Sequence, residues 1–364
     1  MIATKDLREL AAFTGLKAPV LSVYLDADLS RQLKEAPKLM LRELLERARA
    51  EGAAEEDLQR SARFVDHEYD WQGRGLIIFS CQADGLWQPY PLPVAVRSRV
   101  YVGERAYLLP FSRLLDQYAP YAVALVDQER ARLFLVDMGG IAKEEDTIGD
   151  PVKHQKQGGW SASRYQRHED RIASKNLKAA ADALARFCGG DRCRRLLLAG
   201  TDENTARFRD LLPIALRQAV VGTTHLEMGA GSAAVVERSR EILADLEEER
   251  ERGLVERMIT IRDAGGPAVM GLADSLFALQ EGRVLTLLIE EGFVAPGFSC
   301  PSCDYLYTDE GQHCLLCGNM EARPVRNVVE RAVHKAFEQG ATVEVIPGDP
   351  ALAQAGHVGA LLRY

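Results

Sequence analysis

Short apolar runs alternate with amphipathic stretches along the whole chain. Polar or glycine-containing segments bound each run, a pattern typical of buried β-strands. We predict strands at residues 20–25, 75–81, 121–126, 196–199, 284–289 and 342–346. Apolar residues at helical spacing predict helices at residues 37–50, 167–188, 206–212, 233–257, 270–280 and 325–339. Because strands and helices alternate, the pattern favours an α/β fold of the mixed α+β kind.

The alternation falls into three blocks, and 364 residues are enough for two or three domains. We therefore predict domains at residues 1–115, 116–232 and 233–364. The middle block opens with two strands around a polar break at 127–130, which predicts a hairpin. In the polar stretch 137–163 we predict a long loop, and loops of that length inside compact domains are usually functional or disordered.

Composition narrows the class of protein. The chain is 47% apolar and 27% charged, which is ordinary for a globular protein. No apolar stretch approaches the roughly 20 residues of a membrane span, and the first residues lack the apolar core of a signal peptide. We therefore expect a cytoplasmic protein without a membrane partner. The net charge of −8 argues against nucleic acid, but the segment 152–178 is locally basic and could contact phosphate.

Four of the seven cysteines form two CxxC motifs, Cys300–Cys303 and Cys314–Cys317, with ten residues between them. Four thiolates at this spacing predict a tetrahedral Zn²⁺ site, although a redox role or unoccupied thiols are alternatives. With four protein ligands the zinc would be structural, in a zinc-ribbon insertion at residues 298–322. We interpret Cys81, Cys188 and Cys193 as thiols of the core or the surface.

The segment 153–168 combines paired glycines, basic residues and aromatic rings. Gly158 and Gly159 let the backbone approach another surface closely. Cations suit phosphate contact, and rings can stack on unpaired bases. The residues that we expect to contact RNA are Lys153, His154, Lys156, Arg164, Tyr165, Arg167, His168 and Arg171. The alternative is a surface loop that leads into an arginine-rich helix.

The order Gly158-Gly159-Trp160-Ser161-Ala162, followed by an arginine-rich helix, resembles the signature Gly-Gly-Gln-Ser-Ala loop of archaeal and eukaryotic class I release factors. The lead residues Lys156-Gln157 also resemble the peptidyl-tRNA hydrolase of ribosome quality control. Weaker resemblance extends over nearly the whole chain. The chain is thus similar to a divergent bacterial branch of the archaeo-eukaryotic release factors, a superfamily that includes Pelota.

This resemblance implies a ribosome-bound enzyme. It implies an RNase H-like middle domain that carries Gln157, Gly158, Gly159 and Trp160 to the peptidyl-transferase centre as the catalytic residues. The implied reaction is hydrolysis of the ester between peptide and tRNA. The implied partners are ribosomal RNA, peptidyl-tRNA and, as in other family members, a translational GTPase.

Two departures from the family pattern change this expectation. Trp160 stands where the family has glutamine, so the loop either hydrolyses the ester in an altered way or only fills the ribosomal A site, as a Pelota-like rescue or hibernation factor would. Ala36-Pro37-Lys38-Leu39 stands where stop-codon readers have Asn-Ile-Lys-Ser, which favours rescue over codon reading. A weaker alternative is an RNase H-like nuclease, which would need a carboxylate cluster near Asp127 and Asp137.

Overall fold

The computed structural model describes residues 4–152, 162–189, 193–309 and 314–364, and for residues 4–6, 8 and 162–166 it describes only the backbone. The chain forms two compact units. One combines Met1–Asp116 with Glu249–Tyr364, and the other is Gln117–Glu248. The fold is a mixture of helices and several sheets, as the sequence pattern predicts. In the described part, no helix is long and apolar enough to cross a membrane.

The amino-terminal part of the first unit is an antiparallel sheet in the order β3-β2-β1-β4. Its strands are β1 Val20–Asp26, β2 Gly75–Cys81, β3 Leu86–Leu92 and β4 Arg99–Gly103. Its helices are α1 Thr4–Ala12, α2 Glu35–Ala50, α3 Glu55–Arg63 and α4 Leu109–Gln117. Strands β1 and β2 are buried along almost their whole length, which explains why most of their residues are apolar.

The second unit is a five-stranded mixed sheet in the order β7-β6-β5-β8-β9. Its strands are β5 Tyr121–Val126, β6 Arg130–Asp137, β7 Gly140–Ile148, β8 Leu196–Gly200 and β9 Val220–Thr224. Its helices are α5 Ala162–Cys188, α6 Asp202–Leu211 and α7 Ile214–Ala219. The β5–β6 hairpin is antiparallel, whereas β8 runs parallel to β5 and β9 runs parallel to β8. The apolar side of α5 packs on one face of this sheet through Leu177 and Leu184.

Helix α8 Ser232–Asp263 follows and carries residues of both units. The carboxy-terminal part of the first unit then forms a sheet in the order β10-β16-β11-β15. Its elements are β10 Ala268–Met270, α9 Leu272–Gln280, β11 Val284–Glu290, α10 Val328–Glu338, β15 Thr342–Ile346, α11 Pro350–Gln354 and β16 Val358–Leu362. A small antiparallel sheet precedes α10 and comprises β12 Gly297–Ser299, β13 Leu306–Tyr307 and β14 Arg323–Val325.

The prediction of a loop at residues 137–163 is wrong for the first half of that stretch, where strand β7 pairs antiparallel with β6. Nearly every side chain of β7 is exposed, so the strand has none of the alternation that predicts a half-buried strand. It is an edge strand rich in charge, a composition that opposes pairing with other chains. Arg132 of β6 holds it through an ion pair with Glu144 at 2.8 Å.

The prediction that Cys188 and Cys193 are thiols is also wrong, because the structure joins them in a disulfide. The two residues lie at the end of α5 and just before β8, with Cα atoms 5.3 Å apart. Both are buried. Their spacing has no distinctive motif, and only the reversal of the chain between helix and strand brings them together. Cys81 is a buried thiol, as expected.

A buried polar pair on helix α10 joins the two parts of the first unit. Leu108 N–H donates a hydrogen bond to Glu330 Oε1 at 2.6 Å. His334 Nε2 lies 2.6 Å from the carbonyl oxygen of Ala106, and Nδ1 lies 3.1 Å from that of Ala11. Glu330 and His334 are 3% and 1% exposed, so water cannot replace these partners. We call this pair and its backbone partners the α10 clasp.

The α10 clasp predicts a large loss of stability when either side chain is truncated. We expect Glu330→Ala or His334→Ala to lower the free energy of unfolding by about 2–3 kcal/mol, because a buried backbone group loses its partner. Glu330→Gln keeps an acceptor for Leu108 N–H and should cost less. Urea unfolding followed by circular dichroism measures these changes.

The matched control is Glu338→Ala, on the same helix. Glu338 forms an ion pair with Arg105, but its side chain is 40% exposed, and exposed pairs contribute about 1 kcal/mol or less. If Glu330→Ala is no more destabilising than Glu338→Ala, the α10 clasp does not hold the two parts together.

Candidate functional site

Residues 153–161, which we call the glycine loop, lie outside the residues that the structure describes. They include the predicted catalytic and RNA-binding residues Gln157, Gly158, Gly159, Trp160, Lys153, His154 and Lys156. Arg164 and Tyr165 belong to α5, where only their backbone is described. The roles of these residues therefore remain predictions. The described residues that bear on the loop are its two flanks, which are residues 149–152 and helix α5.

The basic residues after the loop lie on α5. Arg167, His168 and Arg171 are all exposed. Arg167 and Arg171 are four residues apart, which places them on the same side of the helix. The acidic neighbour Asp170 lies 3.7 Å from the guanidinium of Arg207. Exposed guanidinium groups on one helix face suit phosphate contact, so this face has the chemistry of a nucleic-acid interface.

Asn176, further along α5, holds the chain where it enters the loop. Its amide oxygen accepts a hydrogen bond from Asp150 N–H at 3.0 Å. Its amide nitrogen donates to the carbonyl oxygens of Gln128, at 3.0 Å, and Asp150, at 2.8 Å. The sequence reasoning missed this residue, and its only signal was an asparagine on the apolar side of a predicted helix.

Glu129, in the turn between β5 and β6, holds the same segment from the other side. Its carbonyl oxygen accepts from Gly149 N–H at 2.7 Å, and its Oε1 accepts from Val152 N–H at 2.6 Å. The turn itself is fixed by Asp127, whose Oδ1 accepts from the N–H groups of Glu129 and Arg130 at 2.7 and 2.6 Å. The hairpin turn, through Glu129, and helix α5, through Asn176, thus both bond to residues 149–152, which we call the loop root.

The carboxylate centre of a nuclease has no support in the described residues. The role of Asp127 is to cap the hairpin turn, and Asp137 ends β6. Among the residues that the structure describes, the one group of three or more convergent metal-ligating side chains is the cysteine quartet.

The four predicted cysteines converge. All four Sγ atoms lie within 4.8 Å of one another. Cys300 Sγ is 3.5 Å from Cys317 Sγ, and Cys303 Sγ is 3.4 Å from Cys314 Sγ. Four thiolates about 2.3 Å from one zinc ion would stand roughly 3.8 Å apart. The arrangement can therefore hold a tetrahedral metal ion, and four protein ligands would leave no position open for water.

The two CxxC segments are folded alike. In the first, Cys300 N–H bonds to Tyr305 O and Asp304 N–H bonds to Cys300 O, both at 2.9 Å. In the second, Cys314 N–H bonds to Asn319 O and Gly318 N–H bonds to Cys314 O, both at 2.8 Å. Asp304 and Gly318 occupy equivalent positions and have φ of +53° and +73°. A glycine such as Gly318 adopts a positive φ readily, whereas an aspartate at position 304 gives no such signal in the sequence.

These turns point backbone N–H groups at sulfur. Burial alone would raise the pKa of Cys300, but hydrogen bonds from the N–H groups of Ser302 and Cys303 outweigh it and lower that pKa to about 7. Burial acts on Cys314 in the same sense, and the N–H groups of Cys317 and Leu316 outweigh it, so its pKa is also lowered. A thiolate is the form that binds metal. Only Cys300 and Cys314 of the quartet have a lowered pKa, whereas burial raises the pKa of Cys303 to about 12 and the pKa of Cys317 is also raised.

Helices α9 and α10 hold the cysteine segment in place. Arg331 of α10 bonds to Asp304 Oδ1 at 2.7 Å and, with its other terminal nitrogen, to Glu104 of the amino-terminal part at 2.7 Å. Lys335 Nζ donates to Asp304 O at 3.1 Å. Tyr305 packs edge-on against Phe277 of α9. The helix that carries the α10 clasp therefore also positions the cysteines.

Known proteins resemble this chain over the loop and beyond it. Residues 107–244 match the family described as bacterial archaeo-eukaryotic release factor family 10. A peptide chain release factor subunit 1 from Thermococcus onnurineus is 26% identical, over 77% of this chain and 74% of the relative. One from Methanobrevibacter smithii is 25% identical, over 99% of this chain and 96% of the relative.

These similarities support membership of the archaeo-eukaryotic release-factor superfamily. Among solved structures, Saccharomyces cerevisiae Dom34 aligns with this chain at 11% identity and a TM-score of 0.43, over 82% of this chain and 81% of Dom34. That structure is described as a translation termination-like factor involved in RNA quality control pathways and interacting with Hbs1.

Lys38 is the one residue of the stretch 36–39 that matches the expected Asn-Ile-Lys-Ser motif. It lies in α2, and its Nζ is 2.9 Å from Asp66 Oδ1. Both side chains are about a third exposed or less, so the cation is neutralised within the protein.

Gly318 gives a prediction about the second CxxC turn. We expect Gly318→Ala to lower the free energy of unfolding by about 1–2 kcal/mol, because a Cβ strains a residue with φ of +73°. Gly318→Asn should cost less, since asparagine tolerates this conformation. Chemical denaturation measures both.

Gly253→Ala is the control with the opposite sign. Gly253 lies within helix α8, and nothing lies within 4 Å of an added Cβ. Alanine there should stabilise by roughly 0.5–1 kcal/mol. Equal effects at the two positions would show that the turn does not require a left-handed residue.

Proposed function

We propose that this protein binds the ribosomal A site and hydrolyses peptidyl-tRNA, in rescue of stalled ribosomes rather than in stop-codon reading. The carrying observation is that the matched family segment, residues 107–244, contains the glycine loop and both of its flanks. The exposed cations of α5 support the proposal, because they lie directly after the loop and suit ribosomal RNA.

The proposed reaction transfers an acyl group to water. A water oxygen attacks the ester carbonyl carbon, the bond to the tRNA ribose oxygen breaks, and that oxygen takes up a proton. The products are a peptide carboxylate and tRNA with a free hydroxyl group. The protein has to position the water and offer donors to the developing oxyanion. Gly158 and Gly159 would allow close approach, and the backbone N–H of Trp160 would supply a donor.

Trp160 supports a second candidate function. An indole has one N–H donor and no acceptor, so it cannot replace the carboxamide of glutamine. The second candidate is therefore a Pelota-like factor that fills the A site in rescue or hibernation without chemistry. We favour hydrolysis because every residue except proline retains the backbone donor, and Gln157 offers a neighbouring carboxamide.

Rescue is favoured over codon reading by the surroundings of Lys38. Three of the four motif residues differ from those of stop-codon readers, and the fourth is paired with Asp66. A lysine engaged in this way is poorly placed to contact a codon. A translational GTPase remains a proposed partner on the family resemblance.

We also propose that the three domains of the sequence prediction, 1–115, 116–232 and 233–364, are the functional divisions of the chain. The middle domain would be RNase H-like, which fits a mixed sheet opened by an antiparallel hairpin and continued by parallel strands. The second structural unit, Gln117–Glu248, begins close to the proposed boundary and ends within α8.

Peptide release tests the proposed activity. Ribosomes stalled with labelled peptidyl-tRNA and an empty A site should release peptide when the protein is added. Gly159→Ala should lower the release rate on the order of a hundred-fold, because the added Cβ hinders close approach. Binding of each variant to the stalled ribosomes is measured in parallel and should change little.

The outcomes separate the candidates. A wild-type protein that binds the A site but releases no more peptide than Gly159→Ala supports the non-catalytic factor. A protein that does not bind ribosomes contradicts both candidates. Intact ribosomal RNA after incubation with Mg²⁺ excludes cleavage by a nuclease as the source of any signal.

We further propose that Cys300, Cys303, Cys314 and Cys317 hold a structural zinc ion. The purified protein should contain one zinc per chain by elemental analysis, in line with four thiolate ligands. Cys303→Ser should lose the zinc and lower the melting temperature, because metal binding contributes on the order of 10 kcal/mol to folding of small sites.

Cys81→Ser is the matched control for the zinc measurement. Cys81 is a buried thiol outside the quartet, so this variant should keep its zinc whatever its effect on stability. Zinc loss in both variants would point to unfolding, and full zinc content in Cys303→Ser would refute the assignment.

A further inference from the structure

The chain that leads into the glycine loop is held almost entirely through its backbone. Residues 149–152 connect the end of β7 to the loop. The segment has three N–H groups, because Pro151 has none, and groups of other elements bond all three. The bonded groups belong to Gly149, Asp150 and Val152. Loops ordinarily leave such groups to water, so this segment is unusually constrained for a connection at a sheet edge.

Asn176 lowers the intrinsic stability of helix α5, and its contacts with the loop root explain why an asparagine stands there. Asparagine in a helix interior is less favourable than alanine by roughly 0.6 kcal/mol. It is only 8% exposed, on the helix side that packs against the sheet. Its amide makes three hydrogen bonds there, all to backbone atoms of Gln128 and Asp150. The residue therefore links the hairpin turn, the loop root and α5.

Gly149 completes the close packing. A Cβ on this residue would lie 2.4 Å from both Cγ and Oδ1 of Asn176. Any larger residue at 149 must push the Asn176 amide away from the segment. At the other end of the segment, the side chain of Glu129 accepts a hydrogen bond from Val152 N–H. Val152 is buried, with 7% of its surface exposed.

Helix α5 also begins at Ala162, directly after the loop. Asn176 thus ties the entry of the loop to the helix that receives its exit. The two roots are separated by 14 helical residues, or about 21 Å along the axis. A rigid helix that fixes both roots limits where the segment between them can be placed.

We propose that Asn176 and Glu129 are positioning residues for peptidyl-tRNA hydrolysis, acting by fixing the root of the Gly158-Gly159 loop. The inference rests on the proposed function. Neither residue touches the reacting atoms. Their effect is on the geometry with which the loop meets the ester, and displacement of about 1 Å at a reacting centre can cost a hundred-fold in rate.

The first test measures the root in the free, full-length protein. Hydrogen exchange should show faster exchange of the Asp150 amide in Asn176→Ala and of the Val152 amide in Glu129→Ala. The expected increase is about five-fold or more, since each bond contributes roughly 1 kcal/mol or more. Amides of strands β5 and β8 should be unchanged. Glu129→Gln keeps the side-chain acceptor and should restore slow exchange at Val152.

The second test measures peptide release from stalled ribosomes. Asn176→Ala and Glu129→Ala should lower the maximal rate on the order of ten-fold or more, with little change in the concentration that gives half the maximal rate. Glu129→Gln should recover most of the rate. Gly149→Ala perturbs the same root independently and should lower the maximal rate to a similar extent. It takes the place of Asn176→Ala if that variant does not fold.

The matched control for exchange is Lys175→Ala. Lys175 precedes Asn176 and contacts Asp150 Oδ2 at 2.8 Å, but both side chains are mostly exposed. Its removal should leave exchange at the root unchanged, because the backbone bonds remain. Equal acceleration in Lys175→Ala and Asn176→Ala would overturn the assignment to Asn176.

The remaining outcomes are distinct. Faster exchange with an unchanged release rate would make the contacts purely structural and overturn the inference. Unchanged exchange in the Asn176 and Glu129 variants would overturn it as well. A wild-type protein that releases no peptide overturns the proposed function and this inference with it, and differs from the other cases because the wild type itself is inactive.

Discussion

Glu330 and His334 lie on the side of α10 that faces the amino-terminal part, and backbone groups of residues 11, 106 and 108 supply their partners. The apolar side of the same helix, including Val329 and Val333, packs into the core of the carboxy-terminal sheet. Arg331 adds bonds to Glu104 and to the cysteine segment. One helix thus contacts the amino-terminal part, the core of the carboxy-terminal sheet and the cysteine segment. Its buried polar pair, Glu330 and His334, provides the contacts to the amino-terminal part.

In the second unit, the chain leaves the sheet at an edge strand that is almost entirely exposed. A long loop has to leave the edge of a sheet whose outer strand, β7, has almost no buried side chain to hold it. That exit is fixed by the hydrogen bond that Asn176 donates to Gln128 O and the one that Glu129 Oε1 accepts from Val152 N–H, together with the burial of Val152. The ion pair between Arg132 and Glu144 restrains the strand itself. At this edge of the sheet, polar contacts therefore restrain the chain, whereas apolar packing holds the inner strands β5 and β8.

The sequence predicted the buried strands well, because an uninterrupted apolar run such as 121–126 or 196–199 is sufficient to specify them. It also predicted convergence of the cysteines, since two CxxC motifs bring their own local geometry. It missed β7, whose charged and exposed residues are indistinguishable from a polar loop. It missed the Cys188–Cys193 disulfide and the contacts of Asn176, because these depend on where distant elements meet.

The backbone character of the loop root has a consequence for how the sequence can vary. Bonds to N–H and C=O groups are the same whichever side chains the segment carries, so most substitutions at 150 and 152 preserve them. Proline is excluded at both positions, since it has no N–H, and Gly149 admits nothing larger. Changes of sequence further along the chain leave these bonds intact. Divergence of the loop sequence is therefore compatible with an unchanged loop root.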